Sequence, residues 1–166
     1  MTRTAVAAAQ PSAKASFIAL LIAVSAVSPL GINMYLPSMP GMARTFDVEF
    51  ATIQLTLSLY LAAMACGQLI IGSLSDRFGR RPMLLIGLLV FVLGSLVCLI
   101  AQNVGILIFG RVVQAIGGCA GITLSRAIVQ DLYRRNQVAS MIGYVTMGMA
   151  VAPMIAPTIG GVLETF

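Results

Sequence analysis

Two apolar runs, residues 53–71 and 83–101, flank an eleven-residue polar stretch, Gly72-Ser73-Leu74-Ser75-Asp76-Arg77-Phe78-Gly79-Arg80-Arg81-Pro82. Each run is long enough to cross a bilayer, which takes about 20 predominantly apolar residues. Lipid offers no water to backbone N–H and C=O groups, so a run of this kind must satisfy them within a helix. The stretch between them reads as a tight loop joining two membrane helices. Gly79 supplies a turn at little steric cost. Pro82 can open the following helix, because a first-turn residue needs no backbone N–H.

The same pattern recurs along the chain. It predicts spans at about 16–36, 52–71, 83–101, 106–125 and 137–163, with a small-residue-rich tail over 1–15. The expected fold is an all-α integral membrane protein with five transmembrane helices. A cleavable signal peptide is disfavoured, since the first apolar run is too long for an h-region and further spans follow. Pro29 should kink the first span, and 37–51 reads as a loop. The third span is the most uniformly apolar and should face lipid over much of its surface.

Composition agrees. The chain is 59% hydrophobic and only 9% charged, whereas soluble domains are about a quarter charged. The net charge of +5 is no nucleic-acid footprint, because the basic residues lie in short loops between spans. Arg3, Lys14, Arg77, Arg80, Arg81, Arg126, Arg134 and Arg135 fall on one side, and Arg44 falls on the other. That bias predicts a cytoplasmic N-terminus in a multi-pass protein of the cell (inner or plasma) membrane. The chain has no His, which removes His-based metal sites, Ser-His or Cys-His catalysis and a His proton relay. Cys66, Cys98 and Cys119 lie inside apolar runs without metal spacing and should pack as small apolar residues. No enzyme constellation and no metal site are expected.

Arg111 is the most informative single residue. It sits well inside the fourth span, where an arginine costs at least about 2.5 kcal/mol and usually faces a cavity or a partner. Snorkelling to the nearer surface is the alternative. Gln114 shares its helix face at i, i+3. In the fifth span Gly148, Ala152, Ala156 and Gly160 form a stripe of small residues that lets another helix approach, with Pro153 and Pro157 beside it. The acids are Asp47, Glu49, Asp76, Asp131 and Glu164, all in loops or at span ends. Asp76 lies within reach of Arg77 and Arg80.

Several of these stretches resemble one family. The spacing Gly72-x-Leu74-x-Asp76-Arg77-x-Gly79-Arg80-Arg81 resembles the signature loop of the major facilitator superfamily of secondary transporters. The stretch from Arg111 through Gln114 to Gly117 resembles its fourth-helix motif, with Ala115 where many members have Gly. Residues 148–161, with Gly148, Pro153, Pro157, Gly160 and Gly161, resemble the fifth-helix signature of its proton-coupled drug exporters. Ala152 there replaces the usual Gly. Residues 32–40 look like the first-helix motif of the bicyclomycin/chloramphenicol-resistance (Bcr/CflA) branch of drug:proton antiporters, and 117–132 is similar to the same branch. Asn33 stands where many members of that branch have Asp, and Asn cannot titrate.

The resemblance implies a twelve-helix transporter of which this chain supplies helices one to five, an incomplete N-terminal half over 16–166. It implies a multidrug exporter working by proton antiport and alternating access, with the proton gradient as energy source and no cofactor. Its partners would be membrane lipid, a hydrophobic small-molecule drug and the remaining helices of the transporter, and not nucleic acid. Asn33, Tyr35, Arg111 and Gln114 would serve substrate and coupling. Gly72, Asp76, Arg77, Gly79, Arg80 and Arg81 would form a conformational gate, with Asp76 pairing to arginines and Gly72 admitting a helix of the opposite half. A proton-coupled exporter needs a group that changes charge near its cavity, and no acid lies at membrane depth. Coupling then uses an acid in a missing part of the chain, or Arg111 with another partner, or is absent. An uptake symporter of the same fold and a truncated, non-transporting membrane protein are the alternative readings.

Overall fold

The computed structural model describes residues 11–133 and 135–164. It contains five helices: α1 (Pro11–Thr45), α2 (Phe50–Phe78), α3 (Arg80–Leu99), α4 (Val104–Leu132) and α5 (Arg135–Glu164). No strand occurs among the described residues. All five helices are long and apolar enough to cross a membrane. Residues 1–10 of the tail lie outside the described residues, while 11–15 already belong to α1.

The helices outrun the apolar stretches. The largest difference is at the end of α1, where the loop expected from residue 37 is helical as far as Thr45, with Pro29, Pro37 and Pro40 all inside the helix. Packing explains it. Tyr35 and Met39 are buried with Ile53, and Met42, Ala43, Phe46, Val48 and Val104 close around them. That cluster holds two further turns despite the backbone donors the prolines remove. The chain then reverses through Asp47, whose φ of 50° is tolerable for a short polar side chain.

The polar stretch 72–82 is also more helical than a loop. Gly72–Phe78 forms the last turns of α2, and Arg80 begins α3, so Gly79 alone breaks the two helices. Gly79 has φ 94° and ψ 150°, a region open essentially to glycine only. Its N–H closes α2 by donating to Ser75 O. Gly79→Ala should therefore destabilise the α2–α3 junction by about 1–3 kcal/mol. The thermal midpoint of the purified full-length protein measures this, and an unchanged midpoint would refute it.

Helix α4 is the centre of the bundle. It buries more than half of its apolar span, against less than a quarter for each of the others. It packs on α3, α2, α1 and α5, while α5 packs chiefly on α1. Small residues make these approaches possible. A Cβ on Gly117 would come within 2.6 Å of Gly87 O and 2.7 Å of Phe91 Cα on α3. On the α1 side, Gly118 faces Ser28, Gly121 faces Val24, and Ser125 donates to Leu21 O at 3.3 Å. As expected, α3 turns most of its surface outward, through Leu85, Leu89, Val92, Leu93, Leu96 and Leu99.

Candidate functional site

Arg111 is only 4% exposed, so it does not snorkel. Its Cζ lies 4.0 Å from the Tyr35 ring centroid and 4.6 Å from that of Tyr60, within cation–π range of both. Each ring is pinned at its hydroxyl. Thr56 spends its only hydrogen on Ile53 O at 2.6 Å, so the Tyr35 hydroxyl must donate to Thr56 Oγ1, also at 2.6 Å. Tyr60 pairs with Ser28 across α1 and α2 at 2.8 Å.

A directed chain of hydrogen bonds fixes the guanidinium in its plane. Arg111 Nη1 donates to Gln114 Oε1 at 2.8 Å, and Gln114 Nε2 donates to Ser95 Oγ at 2.8 Å. Ser95 donates in turn to Phe91 O at 2.8 Å. The reach from α4 to Ser95 depends on Gly94, where a Cβ would stand 2.7 Å from Gln114 Cα. Arg111 Nε and Nη2 are buried and have no hydrogen-bond partner. Both ion pairs among the described residues belong to Arg80, so no carboxylate pairs with Arg111 there.

The sequence-predicted residues are thus only partly united. Tyr35, Arg111 and Gln114 come together. Asn33 does not join them, since its Nδ2 donates to Pro29 O at 2.8 Å on its own helix. Tyr60, Thr56, Ser28 and Ser95 were not singled out from the sequence. A lone tyrosine and a few hydroxyls inside apolar spans were the available signal, and hydroxyls in membrane helices commonly bond their own backbone.

A second cluster closes the opposite end of the bundle. Arg80 Nη1 meets Asp76 Oδ1 at 2.6 Å, and Arg80 Nε meets Asp131 Oδ2 at 3.0 Å. Nη1 also bonds Ser75 Oγ, which donates to Gly72 O at 2.8 Å. Helices α2, α3 and α4 are tied there through one guanidinium. Both carboxylates are more than half exposed, so each pair is worth only about 0.2–1 kcal/mol. Asp131 stands 20 residues after Arg111 on α4, or about 30 Å, so the two clusters sit near opposite ends of one helix.

The Major Facilitator Superfamily profile matches residues 21–165. The chain belongs to the Major Facilitator Superfamily. It is 37% identical over 150 residues to a bicyclomycin resistance protein homolog of Haemophilus influenzae, covering 90% of this chain and 38% of that protein. It is 34% identical over 151 residues to a chloramphenicol resistance protein of Pseudomonas aeruginosa, covering 90% and 36%. It is 33% identical over 150 residues to multidrug resistance protein D of Escherichia coli, covering 90% and 38%. The chain spans just over a third of the length of these relatives.

The other motif residues of the superfamily resemblance are placed as follows. Arg77 lies over the Phe78 ring at 5.6 Å and not against Asp76. Arg81 is exposed. A Cβ at Gly72 would meet nothing within 4 Å. Gly148 receives Ile22 of α1, so the small-residue stripe of α5 meets α1 at that point, and Ala156 of the same stripe is fully buried. Pro153 and Pro157 lie exposed within α5. The surroundings of Ala152, Gly160 and Gly161 lie outside the described residues. Of the cysteines only Cys119 is buried. Cys98 is half-buried and Cys66 is exposed, so the packing role expected of all three does not extend to Cys66.

Proposed function

We propose that the chain forms the N-terminal part of a drug exporter of the bicyclomycin/chloramphenicol-resistance type, driven by proton antiport through alternating access. The observation that carries this reading is the buried Arg111 cluster. An intramembrane cation costs at least about 2.5 kcal/mol and is kept for a function, and here three helices build its cage. The named relatives are drug-resistance proteins, which favours export over the uptake symporter.

In this reading Asn33, Tyr35, Arg111 and Gln114 serve substrate and coupling. The Asp76–Arg80–Asp131 cluster with Gly72, Arg77, Gly79 and Arg81 is the gate, and its pairs differ between the two states of the cycle. Residues 148–161 with Pro153, Pro157, Gly160 and Gly161 belong to the antiporter motif. The partners are lipid, a hydrophobic drug and the remaining helices. The proton gradient supplies the energy without a cofactor. The eight-to-one distribution of basic residues supports a cytoplasmic N-terminus.

The test is transport by the full-length protein in everted membrane vesicles, with labelled chloramphenicol as probe. An inside-acid gradient should drive accumulation, and an uncoupler should abolish it. Arg111→Gln should lower the rate at least tenfold. Accumulation indifferent to the gradient would overturn antiport, and probe movement in the opposite direction would favour the symporter.

A further inference from the structure

The unpartnered atoms of Arg111 are not a random pair. The Nη1 nitrogen lies on the Cδ side of a guanidinium, so Nε–H and one Nη2–H point the same way, in parallel, along the opposite edge. That edge is the one that grips a carboxylate through two hydrogen bonds. In this chain Nη1 is occupied by Gln114, and Arg111 Cζ lies over the rings of Tyr35 and Tyr60. The two-toothed edge, Nε and Nη2, is buried and unpaired.

Leaving donors of a charged group unsatisfied costs more than the usual 1–3 kcal/mol of a buried neutral one. Among the described residues no carboxylate compensates the charge of Arg111. Asp47 and Glu49 lie exposed between α1 and α2, while Asp76 and Asp131 engage Arg80 at the other end. Asn33, on the facing helix, is neutral and bonded to its own backbone. A water molecule could satisfy a donor but would leave the charge. A planar monoanion with two oxygens satisfies both.

We propose that the Nε/Nη2 edge of Arg111 is a receptor for the carboxylate of a hydrophobic monocarboxylic acid, so that lipophilic organic anions are substrates of this site. This deepens, and rests on, the reading of the Arg111 cluster as the substrate cavity. The guanidinium is preorganised: its carbon lies over two rings pinned at their hydroxyls, and the Gln114–Ser95 chain holds Nη1. The flanking aromatic faces suit an apolar body attached to the carboxylate. A carboxylate side chain elsewhere in the full-length protein is the rival source of the same chemistry.

The experiment uses the full-length protein in detergent, with 1-naphthoate and its neutral analogue of matched shape, 1-naphthamide, measured by titration calorimetry. We expect naphthoate to bind at least tenfold more tightly. Arg111→Gln should bring the two within twofold. Arg111→Lys should keep less than a third of the preference, because an ammonium lacks the fork. Equal affinity of the two probes for the unmodified protein overturns the proposal without any variant. A preference that survives Arg111→Gln also overturns it. So does failure of naphthoate to bind in a protein whose thermal midpoint drops on Arg111→Gln, which assigns the edge to a side chain of the protein itself. Vesicle transport separates this from the underlying reading. Gradient-driven movement of naphthamide without a naphthoate preference sinks the carboxylate receptor alone. If the preference is found but neither probe is moved, the exporter reading fails and the receptor stands.

Discussion

Replacing Arg111 by Met and Gln114 by Leu together should give a more stable protein that no longer transports. In the unmodified chain a guanidinium 4% exposed keeps two donors without partners inside an apolar bundle. Met and Leu match the two side chains roughly in volume and remove both the charge and the amide that serves it. Ser95 keeps its bond to Phe91 O, so no donor is stranded on α3. Exchanging buried charged groups for apolar ones of similar size is often stabilising by about 1–4 kcal/mol. The cation–π contacts with Tyr35 and Tyr60 oppose this, at about 0.5–2 kcal/mol each. The pair change also avoids the cost of the single Arg111→Met variant, which strands Gln114 Oε1. Thermal unfolding of the full-length protein and vesicle transport measure the two halves of the prediction. A lowered midpoint would mean that the cage stabilises the fold. Retained transport would mean that Arg111 serves packing and not the substrate.

Gly117→Ala should be the most damaging single methyl group in the bundle. Its Cβ would press on Gly87 O at 2.6 Å and on Phe91 Cα at 2.7 Å, both backbone atoms of α3. No rotamer relieves a clash with backbone, so α3 must move off α4. Overpacking of this kind costs about 1–3 kcal/mol and more where the backbone shifts. The displacement would also pull Ser95 from Gln114 and unsettle Arg111. Gly143→Ala is the control, since nothing lies within 4 Å of its Cβ position in α5. There the exchange should gain up to about 1 kcal/mol of helix propensity. Membrane yield and thermal midpoint should fall for the first variant and hold for the second. Equal behaviour of the two would show that the α3–α4 seam is looser than its geometry.

The span count and the outward face of α3 were legible because lipid leaves a chain so few choices. The pairing of Arg111 with Gln114 was legible because i, i+3 neighbours share a helix face. Helix ends were not. Proline is a sound stop signal when nothing else holds the chain, but the cluster of Tyr35, Met39 and Ile53 carried α1 past Pro37 and Pro40. The eleven-residue polar stretch 72–82 also looked like a loop by composition. The conformation of Gly79 lets the turn close in one residue, and the remainder stays helical.

What the sequence by itself determined is the class of the molecule. Apolar runs of bilayer length impose helices, and the acids, arginines and histidine-free composition are fixed one residue at a time. The motif spacings belong here too, because they lie within single helices or one short turn. Only the tertiary structure decided which atoms of Arg111 are left over. Tyr60 and Thr56 reach the site from α2, Ser28 from α1 and Ser95 from α3, and their distances in sequence encode nothing of that meeting. The same holds for Arg80, whose partner Asp131 lies 51 residues away at the end of α4. Periodicity reports the face of one helix. Which faces then touch is set by close packing at glycines such as Gly94 and Gly117, where the absence of a side chain has meaning only once the neighbouring helix is in place.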